Sequence, residues 1–371
     1  MDVREPGTKQ GRRRRTALVV AVLLLAGACS WVPFDFNGDK KADVAWVLDG
    51  SSASNPSQAW WRAGEAGPFH QVAPVANPGG QNLTTDGVIA VPGDYDGNGI
   101  WEPATVVLPS GTTWDTTGSR GSISFAPPAL PAVSGGCGPR PYVDPVPADY
   151  DGDGKTDPAW YRETDGTWWI DGQASPISFG DPWQPCAGSQ PFTSYDIPVP
   201  ADYDGDKKAD LAGFNPQTRH WRVLRSSDGV VDDVVFGAVG DMPVPADYDG
   251  DGKADRAGVG LLDDTWRITG RGPTVVATTP GSGGLRIPSP ANYDGNPGAD
   301  PAELDTTTGS WFIQGQPTVE IGAVAAGSFP YRWPVAFPPA VRFSILRLTF
   351  LSRSCDPRIT PPSSQPAYCS A

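Results

Sequence analysis

The chain has 371 residues, enough for one large or two ordinary domains, and its 39% apolar residues, with 14 tryptophans, suffice for a buried core. Glycine (45) and proline (41) argue against long helices and favour short strands joined by tight turns. The formal net charge of −14 makes nucleic acid and anionic membrane surfaces poor partners.

An export signal is predicted at residues 1–28. The basic stretch Arg12 to Arg15 precedes an apolar run from Ala17 to Ala28, which is shorter than the roughly 20 residues that span a bilayer. Two interpretations of its end remain: cleavage after Ala28, or a lipid anchor on Cys29, although Ala26 stands where a lipobox usually has leucine. We expect an extracellular or cell-envelope protein that contacts membrane only through a lipidated Cys29. Without these residues the net charge is −18.

Five cysteines are an odd number for an exported chain, and assigning Cys29 to processing leaves four. Cys355 and Cys369 close a short C-terminal loop, while Cys137 and Cys186 each lie shortly before the proline that enters a repeat. Because export leads to an oxidising compartment, we predict the disulfides Cys137–Cys186 and Cys355–Cys369; four reduced thiols are the alternative.

A nine-residue acidic pattern recurs six times, with oxygen-bearing side chains at positions 1, 3, 5 and 9; its clearest form is DYDGDGKTD. Each copy has a proline two residues before its start and an alanine ten residues after it, and a tryptophan follows at 19 residues in four copies. Loop and following segment therefore repeat as one unit, at a spacing of 45 to 59 residues that is typical of propeller blades. We number these loops and their repeats 1 to 6 by their first residues, which are Asp35, Asp94, Asp149, Asp202, Asp247 and Asn292.

Each unit has the pattern of four short strands: one before the loop, one after it, one around the tryptophan and one ending near Phe-Gly. Such a unit cannot cover both its faces alone, and a circular arrangement leaves only short edges. The sequence predicts an all-β fold, a β-propeller of six blades, with seven as the alternative, each of four short antiparallel strands. We assign residues 29–350 to the propeller, with 323–350 as its closing segment, and residues 351–371 to a disulfide-pinned tail. The recurring tryptophan and alanine are predicted to pack in the core.

The run Phe236-Gly237-Ala238 before VPADYDGDGKAD, and Phe179-Gly180 before VPADYDGDKKAD, resemble the FG-GAP or VCBS-type repeats of integrin α-subunit propellers and many bacterial exported proteins. The resemblance covers roughly Trp31 to Gly322. It implies that each acidic loop joins the first and second strands of a blade and binds calcium.

Calcium is a hard ion that takes six to eight oxygen ligands, and a turn with carboxylates at alternate positions can direct them to one centre. An EF-hand is disfavoured, because its loop has 12 residues with glycine at position 6, where loops 1, 4 and 6 have lysine or proline. Solvated turns are the other alternative. We expect the lowest affinity in loop 6, which has two carboxylates. The candidate ligands are Asp35, Asn37, Asp39 and Asp43; Asp94, Asp96, Asn98 and Glu102; Asp149, Asp151, Asp153 and Asp157 with the carbonyl of Lys155; Asp202, Asp204, Asp206 and Asp210; Asp247, Asp249, Asp251 and Asp255; and Asn292, Asp294, Asn296 and Asp300.

The sequence contains no HExxH, GxSxG or phosphate-binding glycine loop, and its two histidines, His70 and His220, lie in different repeats. We therefore predict that the protein is not an enzyme. The expected function is a monomeric, non-catalytic binding or adhesion module with structural calcium and an unknown protein or glycan ligand. One alternative is a lectin that uses the pairs Trp61-Arg62, Trp221-Arg222 and Trp266-Arg267, and another is a calcium-assisted hydrolase or lyase acting on polysaccharide or phosphate esters.

Overall fold

A computed structural model describes residues 34–44, 46–49, 60–62, 69–71, 88–107, 113–129, 143–182, 196–260, 263–276, 286–305, 308–320 and 331–334. All of them belong to one compact unit. No helix in these ranges is long and apolar enough to cross a membrane. The signal at residues 1–28, the five cysteines and the tail 351–371 lie outside the described residues, so the disulfides and the lipid anchor stay predictions.

The described chain forms short β-strands throughout. In chain order they are β1 (Trp46–Asp49), β2 (Trp60–Arg62), β3 (Phe69–Gln71), β4 (Val88–Ala90), β5 (Ala104–Val107), β6 (Thr113–Thr116), β7 (Ile123–Ser124), β8 (Val143–Pro145), β9 (Ala159–Arg162), β10 (Thr167–Ile170), β11 (Ile177–Ser178), β12 (Ile197–Pro198), β13 (Leu211–Phe214), β14 (His220–Leu224), β15 (Val231–Val235), β16 (Asp241–Pro243), β17 (Ala257–Gly260), β18 (Thr265–Ile268), β19 (Thr274–Val275), β20 (Arg286–Pro288), β21 (Ala302–Asp305), β22 (Ser310–Ile313), β23 (Val319–Glu320) and β24 (Tyr331–Pro334).

The described residues form an all-β propeller of four-stranded antiparallel blades, five in number. Strands β4 to β23, taken four at a time in chain order, form the blades of repeats 2 to 6. In each blade the acidic loop joins the first strand to the second, as the sequence predicted. The predicted number of six blades is wrong, and so is the alternative of seven.

Repeat 1 forms two two-stranded sheets where a sixth blade was expected. Strand β1 pairs antiparallel with β24, from the other end of the described chain, while β2 pairs with β3. The backbone register copies that of a complete blade: Pro334 lies opposite Trp46 as Pro145 lies opposite Trp160. Strand β24 lies within the segment 323–350 that was expected to close the propeller, and the rest of that segment is outside the described residues. In repeat 1, the place of the first strand of a blade is therefore taken by β24, from the far end of the described chain.

The repeated tryptophan and alanine lie in the core, which confirms the packing prediction. The tryptophans of repeats 2 to 6 are at most 1% exposed and the matching alanines are 0% exposed. Each blade has its own apolar cluster, and the rings of Trp114 and Trp160, from neighbouring blades, lie 5.1 Å apart. The alanine leaves room for the first strand, whose residue before the entering proline donates its N–H to the alanine carbonyl, as Val146 does to Ala159 at 2.9 Å. This hydrogen bond holds the residues that enter the acidic loop against the second strand of the blade.

Candidate metal centre

The side chain at position 1 organises each of the first five loops around itself. In loop 5, Asp247 Oδ1 accepts the N–H of Gly250 at 2.7 Å, and Oδ2 accepts that of Gly252 at 2.9 Å. Positions 4 and 6 have positive φ in loops 1 to 5, a conformation that glycine adopts without strain, and Lys40 and Lys207 adopt it at position 6. Two tight turns therefore wrap the backbone around one carboxylate.

The other ligand positions hold the rest of the loop. In loop 3, Asp151 Oδ1 accepts the N–H of Asp153 and Asp153 Oδ1 accepts that of Lys155, each at 2.9 Å. Asp157 at position 9 accepts the N–H of Tyr150 with Oδ2 at 2.9 Å, and its backbone bridges Ala148, the residue before the loop. Both ends of the loop are therefore tied together, and the spacing 1, 3, 5, 9 follows from the turn itself.

Six backbone hydrogen bonds join the loops into a closed ring. The N–H at position 8 of each loop donates to the position-1 carbonyl of the loop before it, and loop 1 donates to loop 6. Loop 1 therefore occupies a place in the ring although the described part of its repeat forms no four-stranded blade. The donor and acceptor residues are Trp101 and Asp35 (2.8 Å), Thr156 and Asp94 (2.7 Å), Ala209 and Asp149 (2.7 Å), Ala254 and Asp202 (2.6 Å), Ala299 and Asp247 (2.6 Å), and Ala42 and Asn292 (2.6 Å).

Four of the six loops bring three carboxylates together, with one ligand oxygen of each within 4.8 Å of the others. Because the chain folds each loop around position 1, carboxylates that are apart in sequence face one centre. These clusters could hold a metal ion. They are Asp94, Asp96 and Glu102 in loop 2; Asp149, Asp151 and Asp157 in loop 3; Asp202, Asp204 and Asp206 in loop 4; and Asp247, Asp249 and Asp251 in loop 5.

Several predicted ligands lie outside these clusters and make other contacts within the protein. Asp153 accepts a bond from Lys155 Nζ at 2.8 Å, and Asp210 accepts backbone N–H groups on both oxygens, from Ser226 at 2.7 Å and Tyr203 at 2.8 Å. Asp255 is likewise outside the cluster of loop 5. The predicted roles of the Asn98 amide and of the Lys155 carbonyl stay predictions.

Loop 1 holds its acids differently. The amide nitrogen of Asn37 donates to Asp43 Oδ1 at 2.8 Å, and Asp35, Asp39 and Asp43 do not form a three-carboxylate cluster in the part of the chain that the structure describes. Burial, with the nearby charges of Asp39 and Asp35, raises the pKa of Asp43 to about 6. Loop 1 is therefore a weaker candidate than loops 2 to 5.

Loop 2 offers the clearest fit for a cation. Glu102 is 6% exposed, and its Oε2 accepts the Tyr95 N–H at 2.8 Å, but its buried Oε1 has no hydrogen-bond partner. Burial, and then the negative charges of Asp96 and Asp94, raise the pKa of Glu102 to about 7. In loop 3, burial and the neighbouring carboxylates likewise raise the pKa of Asp157 to about 6. A buried, unpartnered carboxylate oxygen beside two more carboxylates is a site that a hard cation fits.

Loop 6 differs from the other loops at two positions, 1 and 6, that are hydrogen-bonded to each other in those loops. Position 6 is Pro297, which has no N–H, and position 1 is Asn292, whose amide nitrogen donates to the Asn296 carbonyl at 2.6 Å. Asn292 Oδ1 still accepts the Gly295 N–H at 2.7 Å. The amide thus replaces one oxygen that an aspartate would offer, and Asp294 and Asp300 are the two remaining carboxylates. That loop 6 has the lowest affinity for a cation of the six loops stays a prediction.

Two structural features of the loops escaped the sequence analysis. The first is the tyrosine at position 2, whose hydroxyl donates to the carbonyl four residues earlier, as in Tyr248 to Val244 at 2.7 Å. The second is the close packing of the position-4 glycine against the next loop: a Cβ on Gly97 would lie 2.9 Å from Lys155 Cγ of that loop. Both recur in register in the sequence, so repeat comparison alone could have identified them.

Buried ion pairs at the start of the first strand of two blades also escaped the sequence analysis. Asp196 and Asp241, each 1% exposed, bind Arg222 and Arg267 of the third strand in their blades. The pairs cross the second strand at a glycine, and a Cβ on Gly258 would lie 3.0 Å from Asp241 Cβ. The recurring Asp-x-Pro before the loop is the signal that pointed to them.

These contacts occupy the residues on which the lectin alternative rested. Trp221 is 1% exposed and Trp266 is 0% exposed, so neither ring is available to stack on a sugar, and both neighbouring arginines are engaged in the ion pairs just described. The side chains of Trp61 and Arg62 lie outside the described residues.

Comparison with family models and with curated proteins gives no match to this chain. What the geometry establishes is a five-bladed propeller on which six acidic loops form a hydrogen-bonded ring, with carboxylate clusters in four of them that could hold metal ions.

Proposed function

We propose that the protein is an exported calcium-binding propeller of the FG-GAP or VCBS type, in which calcium stabilises the ring of loops. The observation that carries this proposal is the set of four three-carboxylate clusters held in a closed ring by backbone hydrogen bonds. Isolated acidic turns occur without metal, but clusters repeated in register around a ring make repulsion that cations relieve.

Calcium suits these clusters better than softer metals, because every candidate ligand is an oxygen atom. When bound, the ion would supply positive charge between carboxylates that otherwise repel one another. The position-1 aspartates would hold it while their second role, accepting backbone N–H bonds, keeps the turns in place. Four ions would bring the charge of the chain without residues 1–28 from −18 to about −10.

The ring would serve a non-catalytic binding or adhesion module at the cell envelope. A propeller whose blades are joined through their loops is a rigid support, and its irregular connections are free to vary without disturbing it. The segments Ser51 to Gln58, Ser119 to Tyr142 and Asp171 to Tyr195 contain such connections, and the last two also include the blade strands β7 and β11. The carboxylates that could suggest glycosidase chemistry are assigned to metal in this proposal, which favours binding over catalysis.

Thermal unfolding in calcium and in chelator tests the calcium proposal. Because the ion binds the folded loops only, each site saturated to about 100 times its Kd adds about 2.7 kcal/mol. The melting temperature should fall in chelator and recover with calcium, and magnesium at the same concentration should restore much less. Equal melting temperatures in calcium and in chelator would rule the proposal out.

A further inference from the structure

The outer strand of the repeat 4 blade differs from those of the other blades. β15 has five residues, whereas β7, β11, β19 and β23 have two each. Of the seven large apolar side chains that are exposed in the described ranges, five belong to residues 230–239. Val231 is 51% exposed and Val235 is 49% exposed. Apolar exposure is therefore concentrated on one strand at the rim of the propeller.

β15 also has an open edge. Among the described strands it pairs with β14 alone. The Val230 carbonyl accepts the Arg225 N–H, and the Phe236 N–H donates to the Arg219 carbonyl. Along an antiparallel strand, successive residues point their backbone N–H and C=O groups alternately toward the partner strand and away from it. These groups of Val231, Asp233 and Val235 therefore point away from β14. Such a row of free N–H and C=O groups is a template for another extended strand.

Both acids of the strand have partners within the chain. Asp233 Oδ1 lies 2.6 Å from His220 Nδ1, and Asp232 forms an ion pair with Arg256 of the next repeat. Neither carboxylate is free of contacts within the chain, whereas free charges at an edge are one of the ways in which proteins discourage strand addition.

A cleft of about 330 Å³ lies at the C-terminal end of β15, between the blades of repeats 4 and 5. Three arginines line it together with apolar residues that include Val235 and Phe236. Arg267 pairs with Asp241 and Asp263, whereas no ion pair of Arg219 or Arg271 with a carboxylate occurs in the described part of the chain; these two donate to the carbonyls of Gly237 and Tyr248. Two guanidinium groups without a carboxylate are unusual in a chain of net charge −14.

Arg219 is held in a backbone conformation that arginine disfavours. Its φ is 66°, and the residues at the same place in repeats 3 and 6, two before the marker tryptophan, are Gly166 (φ 65°) and Gly309 (φ 73°). A long cationic side chain therefore stands at a turn where glycine would be less strained, and it lines the cleft.

We propose that β15 and this cleft form a docking surface for an extended peptide segment of a partner protein, which pairs with the open edge and places one or two carboxylates against Arg219 and Arg271. Backbone pairing along β15 supplies affinity, and the paired arginine–carboxylate contacts supply specificity. The inference rests on the proposed binding function, to which it adds a partner class. It does not depend on calcium binding, because the calcium proposal is tested separately by thermal unfolding in the absence of peptide.

The test uses the full chain without its export signal, in calcium, and a fluorescent blocked peptide of alternating threonine and valine that ends in two aspartates. Anisotropy should show binding that is at least tenfold tighter than that of the same peptide ending in two asparagines. Arg219→Gly, which suits the backbone at that turn and should fold, is expected to remove that preference. Asp233→Pro removes one outward N–H without breaking the ladder to β14 and should weaken binding at least tenfold, while Asp233→Ala, which loses only the side chain, should not.

Other results overturn the inference. Equal binding of the two peptides would remove the role of the arginines, and full displacement by acetate alone with no effect of Asp233→Pro would show a small-anion site. Self-association that Asp233→Pro abolishes would show that a second copy of the chain covers the edge. If a cell-envelope fraction retains the wild-type protein, Arg219→Gly and Asp233→Pro equally well, the binding function stands and this surface is not its site.

Discussion

Replacing Glu303 with glutamine should change the pH dependence of stability in a predictable direction. Glu303 lies on β21, is 1% exposed, and accepts the Trp266 Nε1–H with Oε1 at 2.6 Å. Its Oε2 is 3.9 Å from the Arg286 guanidinium, too far for a hydrogen bond. Burial, opposed by the bond from Trp266 and reinforced by the charge of Asp264, raises the pKa of Glu303 from 4.5 to about 7.

Proton linkage gives the direction in which stability changes with pH. The folded protein holds this proton more tightly than the unfolded chain, so the stability it contributes is fully present below about pH 4.5 and is lost as the pH rises through 7. A rise in the pKa of the buried Glu303 carboxyl from 4.5 to about 7 corresponds to about 3 kcal/mol in the free energy of unfolding. Glutamine keeps the acceptor for Trp266 and cannot ionise, so Glu303→Gln should lack this loss.

The assay is urea unfolding of the wild type and Glu303→Gln at pH 5 and pH 8, both in saturating calcium so that the acidic loops contribute equally to the two proteins. The free energy of unfolding of the variant relative to the wild type should rise by about 2 to 3 kcal/mol between pH 5 and pH 8. A relative stability that does not change with pH, or that changes in the opposite direction, would refute the reasoning about this buried carboxyl group.

Three further predictions concern the loops and the core. The double change Asn292→Asp and Pro297→Gly restores the position-1 carboxylate and the position-6 N–H, so calorimetric titration should show one more calcium ion per chain than the wild type; an unchanged stoichiometry would contradict the explanation of loop 6. Gly258→Ala brings a methyl group to within 3.0 Å of Asp241 Cβ and should cost about 1–3 kcal/mol in urea unfolding, whereas an unaffected midpoint would show that the pair can move aside. Trp266→Ala should cost about 3–5 kcal/mol by the same measurement, because the side chain is 0% exposed, and a loss below about 1 kcal/mol would speak against its role in the core.

The loop geometry and blade architecture were predictable because their determinants are local and repeat in register. The ligand spacing, the following alanine and the tryptophan lie within about 20 residues of one another, and each controls contacts inside its own blade. Trp221, for example, packs its ring against Phe214 of the neighbouring strand, with 4.7 Å between centroids. Regular spacing therefore identified the core residues before the fold was known.

The number of blades was not predictable from the same signals. Strand β1 pairs with β24, which comes from the far end of the chain, and such a long-range pairing has no local sequence marker. The contacts of the ligand positions were not predictable for a related reason: both oxygens of Asp210 accept backbone N–H groups, which only the three-dimensional loop reveals.

The buried acids show a third limit. Asp196 looks like a solvated residue when the sequence is considered one strand at a time, because an isolated aspartate before a strand is usually exposed. It is buried since Arg222, 26 residues later, reaches it across a glycine of the intervening strand. The pair becomes visible only when the register of three strands is known.

The most direct test of the calcium proposal is the number of calcium ions that the purified chain holds at equilibrium dialysis against millimolar free calcium, measured by elemental analysis of the chain against the dialysis buffer. The four carboxylate clusters predict at least four ions per chain, and Asp204→Asn should lower the number by one while the neighbouring loops keep theirs. A chain that retains fewer than one calcium ion at this concentration, while still folded, would contradict the proposal that the loops are calcium sites.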